Sequence, residues 1–407
     1  MLKSGSCKIG LLAGVALMLT CCSEQKIHQM GSYGYDAKFF QDNNIKYTEL
    51  ISSDGQSKVM IVPDWQGRVM TSSAEGDDGD SYGWINYRFI KEGQEHPQFN
   101  PVGGEERFWL GPEGGPYSLY FQKGQEQVYD NWHVPPVIDT EPFEISAQND
   151  NKITFVKNTC LKNAAQTEFK IGIERTIELM DSAAISAECG VCLSHGVKVV
   201  AYRTNNKITN IGEKPWQKET GLISIWMLGM FNPTPTTTVF IPYRTDVEGV
   251  IVNDEYFGKI PVDRLKVENG IIYFKIDGTY RSKLGLPAHR AKTLCGSYDS
   301  SKGMLTLLWC SLPEGPAAYV NGQWGPQVAP FDGDVINSYN DGPVEDGSIM
   351  GPFYEMETSS PGAELAPGES LTHTQKIIHI QGDEIQLSSI VKDLFGVELS
   401  NITTKFQ

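Results

Sequence analysis

Apolar and polar residues alternate along most of this chain with a period of two, the signature of half-buried β-strands. Phe169, Ile171 and Ile173 alternate with Lys170, Gly172 and Glu174, and the pattern runs on through Ile177 and Leu179. Pro142–Ser146 and Ile153–Val156 flank a polar Asn149-Asp150-Asn151 turn, which predicts a hairpin. Thr293–Cys295 and Met304–Trp309, on either side of Asp299–Gly303, predict another. Strands are also expected at Val59–Val62, Ile271–Ile276 and Ser370–Ile380, with a central strand in the apolar run Gly221–Phe231 that holds Trp226. Helical signals are few. Asp383-Glu384 starts a helix through Ile385, Ile390, Val391 and Leu394, with Gly396 as its stop, and Asp36–Gln41 makes a short helical turn. Many strands with few intervening helices predict an all-β fold of large sandwiched antiparallel sheets.

The N-terminus reads as a targeting segment. Lys3 and Lys8 precede a short apolar run, Ile9–Leu19, too short to span a bilayer. Leu19-Thr20-Cys21-Cys22 then looks like a bacterial lipobox, with Cys22 as the lipidated residue and Cys21 as the fallback; a cleaved secretory signal with incidental cysteines is the competing reading. The expected organisation is a signal peptide at 1–22, a tether at 23–33 and one β-domain at 34–407. The anchor would be the lipid alone, and the location the cell envelope, periplasmic or on the outer-membrane surface.

Charge narrows the partners. Among 407 residues, 34 Lys and Arg stand against 50 Asp and Glu, a net charge of -16. Such a surface repels nucleic-acid phosphates and disfavours docking on anionic lipid, but tolerates neutral mono- or oligosaccharides. Beyond the leader lie five cysteines, an odd number that gives no clean disulfide framework. Cys189 and Cys192, with His195 close by, lack a second ligand pair for zinc and are expected as buried strand thiols. No cofactor is implied. Gly76-Asp77-Asp78-Gly79-Asp80 clusters the oxygens calcium prefers but lacks the full ligand spacing, so a solvated acidic loop is favoured.

Four stretches could carry chemistry. In Gly103-Gly104-Glu105-Glu106-Arg107-Phe108-Trp109, paired glycines border two carboxylates, a guanidinium and an indole. Arg107 suits bidentate contacts with ring hydroxyls and Trp109 could cover a sugar face, with Glu106 as a further substrate ligand; a structural Arg–Glu bridge is the alternative. Alternation sends Glu106 and Phe108 one way, and Arg107 and Trp109 the other. Glu355 and Glu357 lie two apart on one strand and share a face, so two acids converge on a site if that face is inward. If it is outward, Tyr354 and Met356 form the core face and the acids are solvated. Asp334–Pro343 is a polar stretch expected as a loop, in which Asn340 could bind substrate or simply serve a turn. His133, in Asn131-Trp132-His133, is the candidate acid, against a half-buried loop histidine.

The C-terminal stretch resembles the galactose mutarotase (aldose 1-epimerase) family on Glu357-Thr358, Pro361, Pro367-Gly368-Glu369 and His373-Thr374. Val62-Pro63 followed by Gly67-Arg68-Val69 looks like that fold's opening hairpin. The whole chain is similar to lipoproteins of gut Bacteroides-type bacteria in the same superfamily. The resemblance implies a supersandwich with a sugar cleft on a concave sheet face. It gives Glu357, with Glu355 as alternative, the role of base toward the anomeric hydroxyl. The family's His-x-x-Phe-Asn signature is missing, so the acid is unassigned. Two functions follow: a mutarotase- or epimerase-like enzyme, or a non-catalytic glycan-binding lipoprotein.

Overall fold

The computed structural model describes Met1 and residues 27–407. The signal peptide with Cys21 and Cys22, and the first part of the tether, lie outside the described residues. Eighteen strands, numbered in chain order, form three sheets among the described residues, and neighbouring strands pair antiparallel throughout. The smallest sheet holds β1 (Thr48–Ile51), β2 (Lys58–Val62) and β3 (Arg68–Ser73). The five-stranded sheet runs β13 (Ser282–Pro287), β16 (Asp334–Asn340), β17 (Tyr354–Ser359), β9 (Ser224–Phe231), β4 (Arg107–Gly111). The ten-stranded sheet starts with β11 (Leu265–Glu268), β12 (Ile271–Lys275), β10 (Thr237–Pro242), β14 (Leu294–Asp299) and β15 (Met304–Cys310). It continues with β18 (Ser370–Gln381), β8 (Lys198–Asn210), β7 (Glu168–Leu179), β6 (Lys152–Lys162) and β5 (Glu144–Gln148).

The expected strands and both hairpins are present, because each is written in the period-two pattern that a half-buried sheet demands. In β7, Phe169, Ile171, Ile173, Ile177 and Leu179 are all buried. The five-stranded sheet packs on the inner face of the large one. Between them lie apolar side chains such as Phe108, Met356, Ile171 and Ile377, together with a set of fully buried polar groups. β3 continues the five-stranded sheet through paired backbone bonds between Val69 and Glu106, 3.0 and 3.1 Å.

Helix α4 (Glu384–Phe395) follows its sequence signals at both ends. Asp383 caps it in a reciprocal capping box with Gln386, and Gly396 closes it in the left-handed region at φ 70°. Its Leu387, Ile390 and Val391 cover the outer face of the ten-stranded sheet beside Ile378, Ile380 and Leu305. Helix α1 (Tyr33–Asp42) contains the turn expected at Asp36–Gln41, and its first residue, Tyr33, is buried and donates to Glu49 at 2.8 Å, so the last tether position belongs to the domain. No helix among the described residues is long and apolar enough to cross a membrane.

Two local expectations change. Asp334–Asn340 is strand β16, not a loop: Asp334 and Asn340 accept from the loop residues Asn253 and Gly278, and Asn337 donates across to Leu284 O of β13, instead of turning the chain. Cys189 ends a helix (α3, Ser182–Cys189) and Cys192 is exposed beyond it, so the pair does not consist of buried strand thiols. All five cysteines beyond the leader are free thiols.

Candidate functional site

Side-chain alternation on β4 sorts the glutamate–arginine–tryptophan stretch onto two sides of the five-stranded sheet. Glu106 points into the space between the sheets. There its Oε1 takes Arg175 Nη2 at 2.8 Å, and its Oε2 takes Gln375 Nε2 at 2.7 Å and Thr204 Oγ1 at 3.2 Å. Both partners of the ion pair are fully buried. Glu106 is therefore a structural residue with no free oxygen, which corrects its expected role as a substrate ligand. Its neighbour Glu105 is likewise internal, accepting from His379 Nε2 at 2.9 Å and Ser72 Oγ at 2.9 Å.

Arg107 and Trp109 emerge on the opposite face, where the acids of β17 meet them. The register sets Arg107 against Leu228 and Leu228 against Glu357, so all three share that face. Lys283 on β13 pairs with Tyr339 on β16, and Tyr339 with Glu355. The two cations then reach diagonally. Arg107 Nη2 donates to Glu355 Oε1 at 2.7 Å, while Lys283 Nζ donates to Glu357 Oε2 at 2.9 Å. Trp226 Nε1 donates to the same Glu357 oxygen at 2.9 Å. Tyr354, Met356 and Thr358 occupy the other side of β17; Thr358 Oγ1 bonds His373 Nε2 at 2.8 Å and Gln375 at 2.7 Å. The acids are thus buried on the face away from the large sheet, neither solvated nor part of the inter-sheet core.

Polar atoms without a protein partner gather here. Glu357 Oε1, Arg107 Nε and Nη1, and Trp109 Nε1 are all buried and unsatisfied. Unpaired groups cost about 1–3 kcal/mol each, so these atoms call for a partner from outside the protein, either water or a ligand. Aromatic rings wall it. Trp109 lies 5.6 Å from Trp226, 5.6 Å from Tyr120 and 6.4 Å from Trp132. The Arg107 guanidinium sits 4.4 Å over the Trp109 ring, so that ring supports the arginine, where it was expected to cover a sugar.

Burial shifts the titrations. Desolvation raises the Glu355 carboxyl to about 7 against the pull of Arg107, with Glu357 adding to the rise. Glu113, just after β4, is also raised to about 7 by burial, opposed by Lys283 and reinforced by Glu357. Lys283 is desolvated too, yet its pKa stays above the ordinary lysine value because Glu357, Glu113 and Glu355 surround it. At the edge, burial lifts Asp334 to about 6 although Tyr256 at 2.5 Å and Asn253 at 2.7 Å donate to it.

The other expected residues lie elsewhere. Asn340 faces the opposite side of β16 from Tyr339; it accepts from Gly278 N and donates to Tyr280 O, both at 2.9 Å, which makes it a loop anchor. His133 is exposed, with Nδ1 3.2 Å from its neighbour Asn131 O, while Trp132 turns inward in its place. None of the seven histidines hydrogen-bonds Glu355 or Glu357. In the acidic loop, Asp77 pairs with Lys58 at 2.6 Å and Asp80 takes Gln381 at 2.7 Å, so these oxygens do not converge as calcium ligands. No group of three or more His, Cys, Asp or Glu suited to a metal occurs among the described residues. Sequence reading missed Lys283, Glu113, Trp132 and the site role of Trp226. A lysine in an alternating strand and a glutamate among glycines carry no local signal, though the tryptophan in an otherwise aliphatic central strand could have been flagged.

Fold and site together define an all-β protein of large, face-to-face antiparallel sheets, with a buried acid–base cluster on the outer face of the smaller one. The chain belongs to the family of unknown function DUF6786, whose model matches residues 31–406. No curated protein matches the sequence. The fold is similar to that of the Slr1438 protein from Synechocystis sp. PCC 6803, at 13% identity and TM-score 0.51, covering 83% of this chain and 96% of that one. Similarity at TM-score 0.46 and 12% identity extends to a putative aldose 1-epimerase from Escherichia coli K12, covering 82% and 98% of the two chains. A galactose mutarotase-like protein from Lactobacillus casei ATCC 334 gives TM-score 0.45 and 12% identity over 82% and 100%.

Proposed function

We propose that this protein acts on the anomeric centre of a sugar, as a mutarotase- or epimerase-like enzyme, at the face formed by Glu357, Glu355, Arg107, Lys283 and Trp226. The observation that carries this reading is the mixture of unpartnered atoms. One buried acceptor, Glu357 Oε1, stands on the same face as the buried donors Arg107 Nε and Nη1 and Trp109 Nε1. A hydroxyl both donates and accepts, so a polyhydroxylated ring can satisfy both kinds at once. Glu357 acts as base through Oε1, toward the anomeric hydroxyl, while Lys283 and Trp226 hold its other oxygen in place. Arg107, steadied by Glu355 and the Trp109 ring, anchors a second hydroxyl. The C-terminal resemblance to galactose mutarotases assigns the base to the same residue.

The test is anomer exchange. The mature protein is mixed with a panel of free aldoses, and magnetisation transfer between anomers is followed by NMR. The reading predicts accelerated exchange for at least one sugar and its loss in Glu357→Gln. Binding without exchange, unchanged by that substitution, would establish the second reading, a glycan-binding module, which the lack of a histidine at the site favours.

Export and anchoring through Cys22 complete the proposal: a lipoprotein of a bacterial cell envelope, held by its lipid. Labelling cells with an alkyne fatty acid should mark the wild-type chain. Loss of the label only when both Cys22→Ser and Cys21→Ser are made would shift the anchor to either cysteine, and an unlabelled wild type would remove it.

A further inference from the structure

The proposed base has no histidine opposite it, so the proton for the ring oxygen must come from another group. We propose that Glu113 is that general acid, and that Lys283 lets one negative charge pass between Glu113 and Glu357 during the reaction. This rests on reading the face as a sugar site. Glu113 lies two residues beyond β4, on the segment that leaves the sheet directly past Trp109. The segment is tied down through its backbone. Gln127 Oε1 accepts from Gly115 N at 2.8 Å and from Gly325 N at 2.7 Å, tying the 113–115 stretch to the 321–327 loop. A side chain at Gly114 would collide with Gln323 O at 2.3 Å, so backbone packs on backbone here. Trp324 of that loop stacks on Trp132 at 6.2 Å and is 38% exposed, so this wall reaches solvent.

The charged groups acting on Glu113 are Lys283 from β13 and Glu357 from β17, and the indoles of Trp324 and Trp132 hydrogen-bond its carboxyl and oppose the rise. Tyr120, packed beside the site, donates its phenol to Leu110 O at 2.9 Å and is not available as the acid. Burial lifts the Glu113 carboxyl to about 7, so a large protonated fraction survives at neutral pH, as a general acid requires. Lys283 feels Glu357, Glu113 and Glu355 together.

The step balances with these groups alone. Glu357 Oε1 takes the proton of the anomeric hydroxyl. The C1–O1 bond becomes a carbonyl as the C1–O5 bond breaks, and its electron pair goes to the ring oxygen, which takes the Glu113 proton. The open aldehyde turns about C1–C2 and closes on its other face, with both protons returned. The negative charge moves from Glu357 to Glu113 and back, and the Lys283 ammonium remains beside whichever carboxylate carries it.

Two measurements test this. For an aldose that wild type exchanges, Glu113→Gln should lower kcat by about 10²-fold with little change in KM. Glu113→Asp should retain more of the rate. The wild-type rate should fall as pH rises through about 7, and Glu355→Gln should keep that alkaline limb. Glu113→Gln with wild-type kcat and an intact limb overturns the assignment and leaves the sugar reading standing. A wild type silent on every aldose sinks both. Independently of any sugar, Glu113 and Glu355 both contribute a protonated-carboxyl band to the infrared difference between pH 5.5 and 8.5, so the wild-type difference minus that of Glu113→Gln should leave one such band; if it leaves none, Glu113 is ionised throughout and is not the acid.

Discussion

Replacing Glu106 by glutamine tests whether this residue holds the sheets together or serves a ligand. The substitution keeps volume and shape, and the new amide oxygen still accepts from Gln375 and Thr204. What it removes is the charge opposite Arg175, which is 0% exposed and whose only other partners are Gly67 O at 3.1 Å and Asn206 Oδ1 at 2.6 Å. Breaking a buried pair from one side costs about 3–5 kcal/mol. Unfolding entropy of about 2.1 cal/mol/K per residue over roughly 380 residues gives ~0.8 kcal/mol/K, so Tm should fall by about 4–6 °C. Differential scanning calorimetry reads this directly. The double variant Glu106→Gln/Arg175→Met, which removes the stranded cation, should recover most of the loss. A Tm within about 1 °C of wild type, or sugar binding lost by the folded single variant, would refute the assignment of Glu106 to the inter-sheet network.

Other outcomes follow from the same geometry. Burial pulls His373 down to about 4 from an ordinary 6.5, so the folded state resists a proton that the unfolded chain accepts. Its contribution is complete above pH 6.5 and is lost as pH falls toward 4, by about 3 kcal/mol at 1.36 kcal/mol per unit; urea titrations should show His373→Gln with a flatter acid limb. Trp226→Phe removes a charge-assisted hydrogen bond to Glu357 and should slow anomer exchange about tenfold, measured at constant fold by circular dichroism. His133→Ala, at an exposed loop position, should leave Tm within about 1 °C and exchange within about twofold of wild type.

Strands were legible in the sequence because each is written as alternation. The C-terminal helix was legible because Asp383 and Gly396 mark its ends. Alternation also sorted Glu106 from Arg107, and it placed Glu355 with Glu357. It could not say which side of the five-stranded sheet would be buried against the ten-stranded one, and that choice turned Glu106 into a core residue. Arg175 shows the same limit: it sits in register with Phe169, Ile171, Ile173 and Ile177, a charged member of an apolar row whose partner is 69 positions away in sequence. Lys283 and Glu113 come to Glu357 only through strand order, β13 and the end of β4 being brought around β17 by pairings no local pattern encodes.

The most direct test of the sugar site is a crystal of the mature protein soaked with an aldose that it binds. The account predicts a pyranose against the outer face of the five-stranded sheet, its anomeric oxygen within hydrogen-bond distance of Glu357 Oε1 and another hydroxyl on Arg107. Sugar density on the ten-stranded sheet or at the exposed His133 loop, with the Glu357 face empty, would contradict it.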